Sequence, residues 1–188
     1  MAHYIFGYGS LMNSASRLLT GQTATAVPAV AHGYQRLWGK VNDDYHHSPL
    51  VVTPGDGLVN GMLLKTDALQ LKEFDRREHG YQRTEINHPQ LDCDHLFSSQ
   101  DSVWIYIRPD SQPPCERSPI MQTYVDTVLS GCLEVSEQFA KQFIQHTHGW
   151  DRPLENDRHQ PKYGNRVDVQ PQILSHIDAL LVNALGFI

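Results

Sequence analysis

The chain has 188 residues, which is enough for one domain with a sizeable buried core. It carries 15 Lys and Arg against 21 Asp and Glu, and this net charge of −6, with no basic run, argues against a nucleic-acid-binding protein. Its three cysteines form no C-x-x-C pair, which favours a reducing, cytoplasmic setting, and we expect neither a signal peptide nor a membrane span.

An apolar run near the start of the sequence ends in a glycine-rich turn. The stretch Tyr4–Met12 predicts a buried strand that then turns sharply, because Gly7 and Gly9 tolerate backbone angles that other residues resist. Such a turn leaves main-chain N–H groups without partners, and these groups can hold an anion or an oxyanion. Ser10 adds a hydroxyl group at the same place.

The spacing of this turn does not match the common phosphate and nucleophile motifs. A dinucleotide-binding loop needs a third glycine where the chain has Met12, and the Gly-Lys-Ser/Thr of a P-loop is absent. The nucleophile elbow needs a glycine two residues before and two residues after its serine, and Ser10 has neither. A tight strand-to-helix turn without a ligand therefore stays open as the alternative.

A short helix and a series of strands follow the turn. Gly21 ends the helix, and Pro54–Gly57 has the composition of a turn between two strands. Gly61 lies inside a strand, where glycine often marks the close approach of another backbone or of a ligand. The expected elements are helix Asn13–Thr20, one long or two short strands within Thr23–Val41 broken near Pro28 and Gly33, and strands Leu50–Val52 and Leu58–Leu64.

A predicted helix over Thr66–Gly80 brings a carboxylate toward the core. Thr66 is the expected N-cap of this helix. Leu71, Phe74 and Glu78 are spaced so that they share one helical face. Because the other two residues of this face are apolar, we expect it to be buried, with Glu78 projecting inward from the last turn.

The predicted environment of Glu78 suits a proton-transfer group. Burial and the negative end of the helix dipole are both expected to raise the pKa of its carboxyl group. A carboxylate with a raised pKa is what a general base needs near neutral pH. The alternative is an ordinary ion pair at the helix end with Arg76, Arg77 or Arg83.

The second half of the chain predicts two more strands and three helices. The strands are Tyr81–His88 and Ser102–Arg108, with a hairpin-type excursion between them. Ser118 and Pro119 are expected to open the first helix, Ser136 caps the second, and the third starts near Pro171.

The segment Gly149–Pro171 is long for a loop in a compact domain. It is rich in Asp, Asn, Arg, Pro and Gly and has no apolar pattern. We therefore expect it to cover or edge a pocket, with Tyr163 and Arg166 as contacts. A surface loop or a dimer contact is the alternative.

The histidines do not have the spacing of a metal site. His46 and His47 are adjacent and would face apart in a strand. His146 and His148 lack carboxylates at zinc spacing. We therefore expect no bound metal.

Three stretches together resemble the gamma-glutamylcyclotransferase-like superfamily, which includes the AIG2-like proteins and the ChaC-type glutathione-degrading enzymes. They are Ile5–Met12, Phe74–Tyr81 and the strand Val103–Ile107. The resemblance covers Tyr4–Arg108, and the region from Ser118 is similar to longer ChaC-like members. It implies an α+β fold, with a small mixed barrel-like β-sheet and flanking helices, in a single domain over residues 1–188 with a C-terminal helical extension from about 118.

The resemblance also implies a reaction. The family's substrate loop falls on Tyr8, Gly9, Ser10 and Leu11, and its catalytic acid/base falls on Glu78. The α-amine of a γ-glutamyl group would attack its own γ-carbonyl, giving 5-oxoproline and releasing the other amine without a metal or organic cofactor. Further candidates for the pocket are Tyr81, Tyr163 and Arg166.

Two other functions stay open. A binding or regulatory member of the same fold would keep the loop without turnover, although the presence of Glu78 weighs against it. A serine hydrolase that uses Ser10 lacks an evident paired histidine. The expected partner is a small γ-glutamyl compound rather than nucleic acid or a membrane, and a homodimer is compatible with the sequence. The leaving amine stays open among a peptide such as glutathione, a free amino acid, a polyamine and an antibiotic intermediate.

Overall fold

The computed structural model describes residues 2–21, 25–40 and 46–186, and its main feature is a curled, mixed β-sheet. In this part of the chain the sheet has seven strands, in the order β4-β6-β1-β3-β2-β5, with β8 paired to β2. The strands β7 and β9 form a separate parallel pair. The bounds are β1 His3–Gly7, β2 Ala26–Trp38, β3 Leu50–Thr66, β4 Gln82–Ile86, β5 Leu91–Asp92, β6 Ser102–Ile107, β7 Ile120–Met121, β8 Thr147–His148 and β9 Leu154–Glu155.

The antiparallel pair of β2 and β3 curls the centre of the sheet. His32 pairs with Leu58 and Tyr34 pairs with Pro54, so Gly33 alone stands opposite three residues of β3. Gly33 has a φ of +88°, which glycine adopts without strain. An irregularity of this kind bends a strand and increases its twist.

The turn predicted at Pro54–Gly57 is therefore wrong, because β3 continues through it as one strand. The turn-type residues occur where the strand must bend, not where it must reverse. The long strand β2 is likewise unbroken at Pro28, and the predicted ends at Thr23 and Val41 lie outside the described residues. Gly61 of β3 does mark a close approach, since a Cβ there would lie 2.7 Å from the Gly7 carbonyl oxygen.

Helices flank the sheet, as the sequence predicts. Two of the predicted helix starts are confirmed: Ser136 accepts a hydrogen bond from the Phe139 N–H at the start of α4, and Pro171 is the first residue of α5. The predicted N-cap at Thr66 is wrong, because Asp67 takes this role with a capping box. The bounds are α1 Ser14–Leu19, α2 Ala68–Arg77, α3 Gln122–Val135, α4 Glu137–Gln145 and α5 Pro171–Leu185.

The start of α3 is stabilised by a residue far away in the sequence. Ser118 does not cap this helix, because residues 120–121 first form strand β7. Instead the Asp157 carboxylate accepts hydrogen bonds from the Thr123 N–H at 2.8 Å and from the Thr123 hydroxyl at 2.6 Å. Burial raises the pKa of Asp157, but hydrogen bonds from the Lys162 N–H and from Thr123 bring it below its ordinary value.

The core joins the sheet to the C-terminal helices. One apolar cluster includes Phe6 of β1, Leu63 of β3, Val128 of α3 and Phe143 of α4. Helix α3 lies directly against the chain after β1, since a Cβ on Gly131 would lie only 2.4 Å from the Asn13 nitrogen. The α+β fold, with a mixed barrel-like sheet and flanking helices, is therefore confirmed. In the described ranges, every helix is too short or too polar to cross a membrane.

Candidate active site

A cavity of about 250 Å³ opens where β1 ends. The loop after β1 forms one part of its wall, and the end of α2 forms another. Residues from α3 and from the segment before α5 complete it. The lining residues that bear on function are Gly7, Tyr8, Gly9, Ser10, Leu11, Phe74, Arg77, Glu78, His79, Tyr81, Tyr106, Tyr124, Tyr163 and Asn165.

The path of α2 explains why Glu78 returns to the loop. Strand β3 ends with Thr66 opposite His3, at the start of β1. Helix α2 begins there, and its ten residues span about 15 Å, close to the length of the five-residue strand β1. Leu71 and Phe74 pack with Ile5 in one buried cluster. The helix therefore runs back along β1 and ends beside the loop.

The loop keeps main-chain donors available to a ligand. It makes a single 3₁₀ turn, in which the Met12 N–H donates to the Gly9 carbonyl at 2.9 Å. Among the described residues, the N–H groups of Gly9, Ser10 and Leu11 donate no main-chain hydrogen bond. A side chain does not fit at Gly9, because a Cβ there would lie 2.8 Å from the Tyr124 hydroxyl oxygen. These donors line the cavity and are suited to an anionic ligand or to a developing oxyanion.

Glu78 is half-buried at the C-cap of α2 and lines the same cavity. Within the described ranges no basic group lies within 4.0 Å of its carboxylate. Arg76 pairs with Glu73, Arg83 pairs with Asp75, and the Arg77 side chain donates to the Thr20 carbonyl oxygen. The ion-pair alternative is therefore absent from the structure. Burial raises the pKa of the Glu78 carboxyl group, and the neighbouring Arg77 and His79 act in the opposite direction.

Tyrosines make up much of the remaining wall. The Tyr8 hydroxyl is buried and donates to the Tyr106 carbonyl oxygen at 2.6 Å. The rings of Tyr124 and Tyr163 lie 4.5 Å apart, and Tyr163 and Ser10 both line the cavity. Burial raises the pKa of Tyr8, Tyr124 and Tyr163, so all three carry their phenolic protons at neutral pH.

The structure brings most of the predicted site residues to one cavity. The residues at its wall are Tyr8, Gly9, Ser10, Leu11, Glu78, Tyr81 and Tyr163. Arg166 does not lie there. Its N–H closes a turn onto the Tyr163 carbonyl, and its side chain pairs with Asp168 in a separate depression that also contains Arg158. This turn explains why Tyr163 and Asn165 line the cavity whereas the Arg166 side chain lies in the separate depression.

Sequence reasoning missed several residues of the wall. Tyr124 belongs to an apolar stripe of α3 that the sequence indicates as core, and most of its surface is indeed buried. Asn165 has no local signal at all. The sequence indicates Arg77 only as an ion-pair partner of Glu78. Within the described part of the chain, no group of three or more His, Cys, Asp or Glu residues is arranged to hold a metal ion.

The curled sheet and a cavity that combines the loop with Glu78 define a protein of the gamma-glutamyl cyclotransferase-like fold. Residues 5–125 match the family described as gamma-glutamyl cyclotransferase, AIG2-like, and the chain therefore belongs to that family.

Individual relatives agree with this assignment. Protein AIG2 C of Arabidopsis thaliana is 32% identical over 108 residues, which span 55% of this chain and 62% of that protein. A solved gamma-glutamyl cyclotransferase superposes with a TM-score of 0.62 at 15% identity, over 95% of this chain and 99% of that one. YkqA from Bacillus subtilis gives a TM-score of 0.58 at 18% identity, over 77% of this chain and 54% of that one. At these identities the two structures show the fold alone.

Proposed function

We propose that the protein is a gamma-glutamylcyclotransferase that converts a γ-glutamyl amide into 5-oxoproline and a free amine. One observation carries the proposal. Glu78, which is half-buried and has no ion-pair partner in the described residues, lines the same cavity as the Tyr8–Leu11 loop, in which three main-chain N–H groups donate no main-chain hydrogen bond. A ligand of about 250 Å³ can contact both. The three cysteines of the described chain are free, which agrees with a reducing, cytoplasmic location.

Glu78 would supply the proton transfers. Its carboxylate takes a proton from the α-ammonium group of the substrate, and the free amine then attacks the γ-carbonyl carbon. A C–N bond forms, and the carbonyl oxygen carries the negative charge of the tetrahedral intermediate. When the original amide C–N bond breaks, the Glu78 carboxyl group returns a proton to the leaving nitrogen. The ring nitrogen, still cationic after the attack, gives up its second proton through Glu78 to the released amine, which leaves as an ammonium ion. Burial supports this role, because a raised pKa makes the carboxylate a stronger base.

The loop would supply binding and charge stabilisation. N–H groups of Gly9, Ser10 and Leu11 offer hydrogen bonds to a carboxylate or to the oxyanion. Ring closure is intramolecular, so that holding the extended glutamyl chain in a bent conformation contributes much of the rate. No step needs a group other than this chain's own residues and the substrate.

A panel of γ-glutamyl compounds tests the proposal directly. The panel contains γ-glutamyl amino acids, γ-glutamyl peptides including glutathione, and γ-glutamyl polyamines, each scored for release of 5-oxoproline. At least one compound is expected to react. Absence of turnover with every compound, combined with measurable binding, would instead show the non-catalytic member of the fold.

Two substitutions then separate the mechanisms. Glu78→Gln keeps the size of the side chain and removes the base, so kcat for the best substrate should fall by about 10²-fold or more. Ser10→Ala leaves the main-chain donors in place and removes only a hydroxyl group, so its effect should be much smaller. A serine nucleophile predicts the reverse order of these two effects.

A further inference from the structure

Behind the loop lies a fully buried arginine that the proposed reaction does not use. Arg36 lies on β2 between Tyr34 and Trp38 and has no exposed surface. Its five N–H groups all point to neutral oxygen atoms. Nε donates to Thr147 Oγ1 at 2.8 Å. Nη1 donates to the carbonyl oxygens of Asn60 at 2.8 Å and Tyr8 at 3.4 Å. Nη2 donates to Asn60 Oδ1 at 2.8 Å and to the Phe143 carbonyl oxygen at 3.2 Å.

Arg36 has no counter-ion in the described part of the chain, because no carboxylate there lies within 4.0 Å of its guanidinium group. Besides these neutral acceptors, the Phe143 ring lies against the guanidinium group, with its centre 4.0 Å from Cζ. Burial lowers the pKa of Arg36 to about 9, so the group still carries its charge at neutral pH. A buried charge without a partner is unfavourable, and it stabilises any anion that comes close.

The charge of Arg36 is transmitted toward the cavity through one peptide group. Its Nη1 lies 3.4 Å from the carbonyl oxygen of Tyr8, the first residue of the loop. The Tyr8 carbonyl and the Gly9 N–H belong to the same planar peptide unit. A cation at the carbonyl oxygen polarises that unit and makes the Gly9 N–H a stronger donor on the cavity side.

Arg77, a cation that does line the cavity, is in a different situation. Arg77 is exposed, with its guanidinium group 5.2 Å from the centre of the Phe74 ring. Water and salt screen the charge of an exposed group, whereas a fully buried charge is screened much less. Of the two, Arg36 therefore has the greater effect on an anion at the loop.

We propose that Arg36 is a positioning residue that makes the Tyr8–Leu11 loop selective for the α-carboxylate of the glutamyl group. The inference rests on the proposed function, since it assigns a place in the cavity to one part of that substrate. The α-carboxylate then completes the charge balance that the described chain leaves open around Arg36. The Glu78 carboxylate is then free to interact with the neighbouring α-ammonium group of the same substrate.

The experiment compares two ligands that differ in one charge. Binding of 5-oxoproline and of its neutral amide, 5-oxoprolinamide, is measured by titration calorimetry. The wild-type protein should bind the carboxylate about tenfold or more tightly than the amide, as expected for hydrogen bonds to a charged group. In Arg36→Met this ratio should fall to nearly one, and in Arg36→Lys, which keeps a cation, most of it should survive.

A second pair of variants removes the free charge without removing Arg36. Cys132 is buried, and burial raises the pKa of its thiol, whereas the nearby Arg36 cation acts in the opposite direction. Cys132→Asp gives the arginine a counter-ion inside the chain, and Cys132→Asn is the neutral control of the same shape. The ratio of affinities should collapse in Cys132→Asp and persist in Cys132→Asn, even if Arg36→Met fails to fold.

The outcomes separate this inference from the proposed function. The inference is overturned if the wild-type protein binds the two ligands equally or binds neither. It is also overturned if Arg36→Met weakens both ligands by the same factor, or if the two Cys132 variants give the same ratio. Charge-selective binding without turnover of any γ-glutamyl compound would support the role of Arg36 and contradict catalysis. Turnover without charge selectivity would support catalysis and contradict the role of Arg36.

Discussion

Two arginines of this protein, Arg36 and Arg158, have opposite surroundings. Arg158 lies between two carboxylates, with Nε and Nη2 donating to Asp126 and Nη1 and Nη2 donating to Asp178, all at 2.7–2.9 Å. Hydrogen bonds with these two carboxylates raise the pKa of Arg158. Arg36 has only neutral acceptors in the described residues, and burial lowers its pKa.

The difference teaches which charges serve the fold and which remain available to a ligand. Arg158 and its two carboxylates, which we call the Arg158 clamp, join the segment before α5 to α3 and to α5 itself. The clamp is complete without any other molecule. Glu78 at the cavity and Arg36 behind the loop lack oppositely charged partners within 4.0 Å in the described residues, and a γ-glutamyl compound brings both an ammonium group and a carboxylate.

The largest effect on stability is expected from breaking the clamp. Arg158→Met leaves the buried Asp126 carboxylate without its cation, which should lower the free energy of unfolding by about 3 kcal/mol. Urea unfolding followed by circular dichroism measures this loss. The matched control is Arg166→Met, which breaks an exposed pair with Asp168 and should cost about 0.5 kcal/mol or less. Equal losses in the two variants would remove the distinction between completed and exposed charges.

Asp157 is a second charge with partners inside the fold, and removing it should have a smaller effect on stability. Asp157→Asn weakens the cap on Thr123 and should cost about 1–2 kcal/mol at pH 7. Because the pKa of Asp157 is lowered in the folded protein, its contribution is complete above the unfolded-state pKa of about 3.9 and is lost as the pH falls through the folded value. The stability difference between variant and wild type should therefore vanish in acid. A difference that persists at a pH of about 2 would assign the effect to something other than the charge.

The smallest effect is expected at the mouth of the cavity, and it should appear in activity and not in stability. Glu78 must be deprotonated to act as a base, so activity falls as the pH drops through its pKa. Arg77 lowers that pKa, so Arg77→Gln should move the acidic limb of the kcat/KM profile to higher pH. Below the midpoint of the profile, the loss should be about threefold or less, since Arg77 is exposed. Arg76→Gln, whose side chain pairs with Glu73, should leave the limb in place.

Local patterns were sufficient to predict the parts of the site that lie close together in the chain. The strand ending in Gly-x-Gly-Ser predicts the loop, and the spacing of Leu71, Phe74 and Glu78 predicts the inward carboxylate. Both depend on periodicity and on the backbone freedom of glycine. The same local reasoning failed at Pro54–Gly57, because residues that favour turns also fit an irregular point in a long, curled strand.

Contacts between distant parts of the chain could not be predicted in this way. The cap of α3 comes from Asp157, 34 residues after Thr123, and no local capping rule includes such a partner. Arg36 has a signal that could have been used: it alternates with Tyr34 and Trp38 on the buried face of β2. A charge at a core position of a strand calls for a search for its surroundings, and the neutral oxygen atoms that accept hydrogen bonds from Arg36 come together only once the sheet has curled.

The close contact at Gly131 of α3 limits which residues this position can accept, because the chain after β1 lies directly against it. Any side chain at this position would collide with the main chain of Met12 and Asn13, directly after the Tyr8–Leu11 loop. In a saturation library screened for activity, position 131 should return glycine alone. Gly164, where a Cβ would have no neighbour within 4 Å and the backbone is ordinary, should accept many residues. A variant can therefore keep the loop and Glu78 intact and still be inactive, because the surface of α3 shapes the loop.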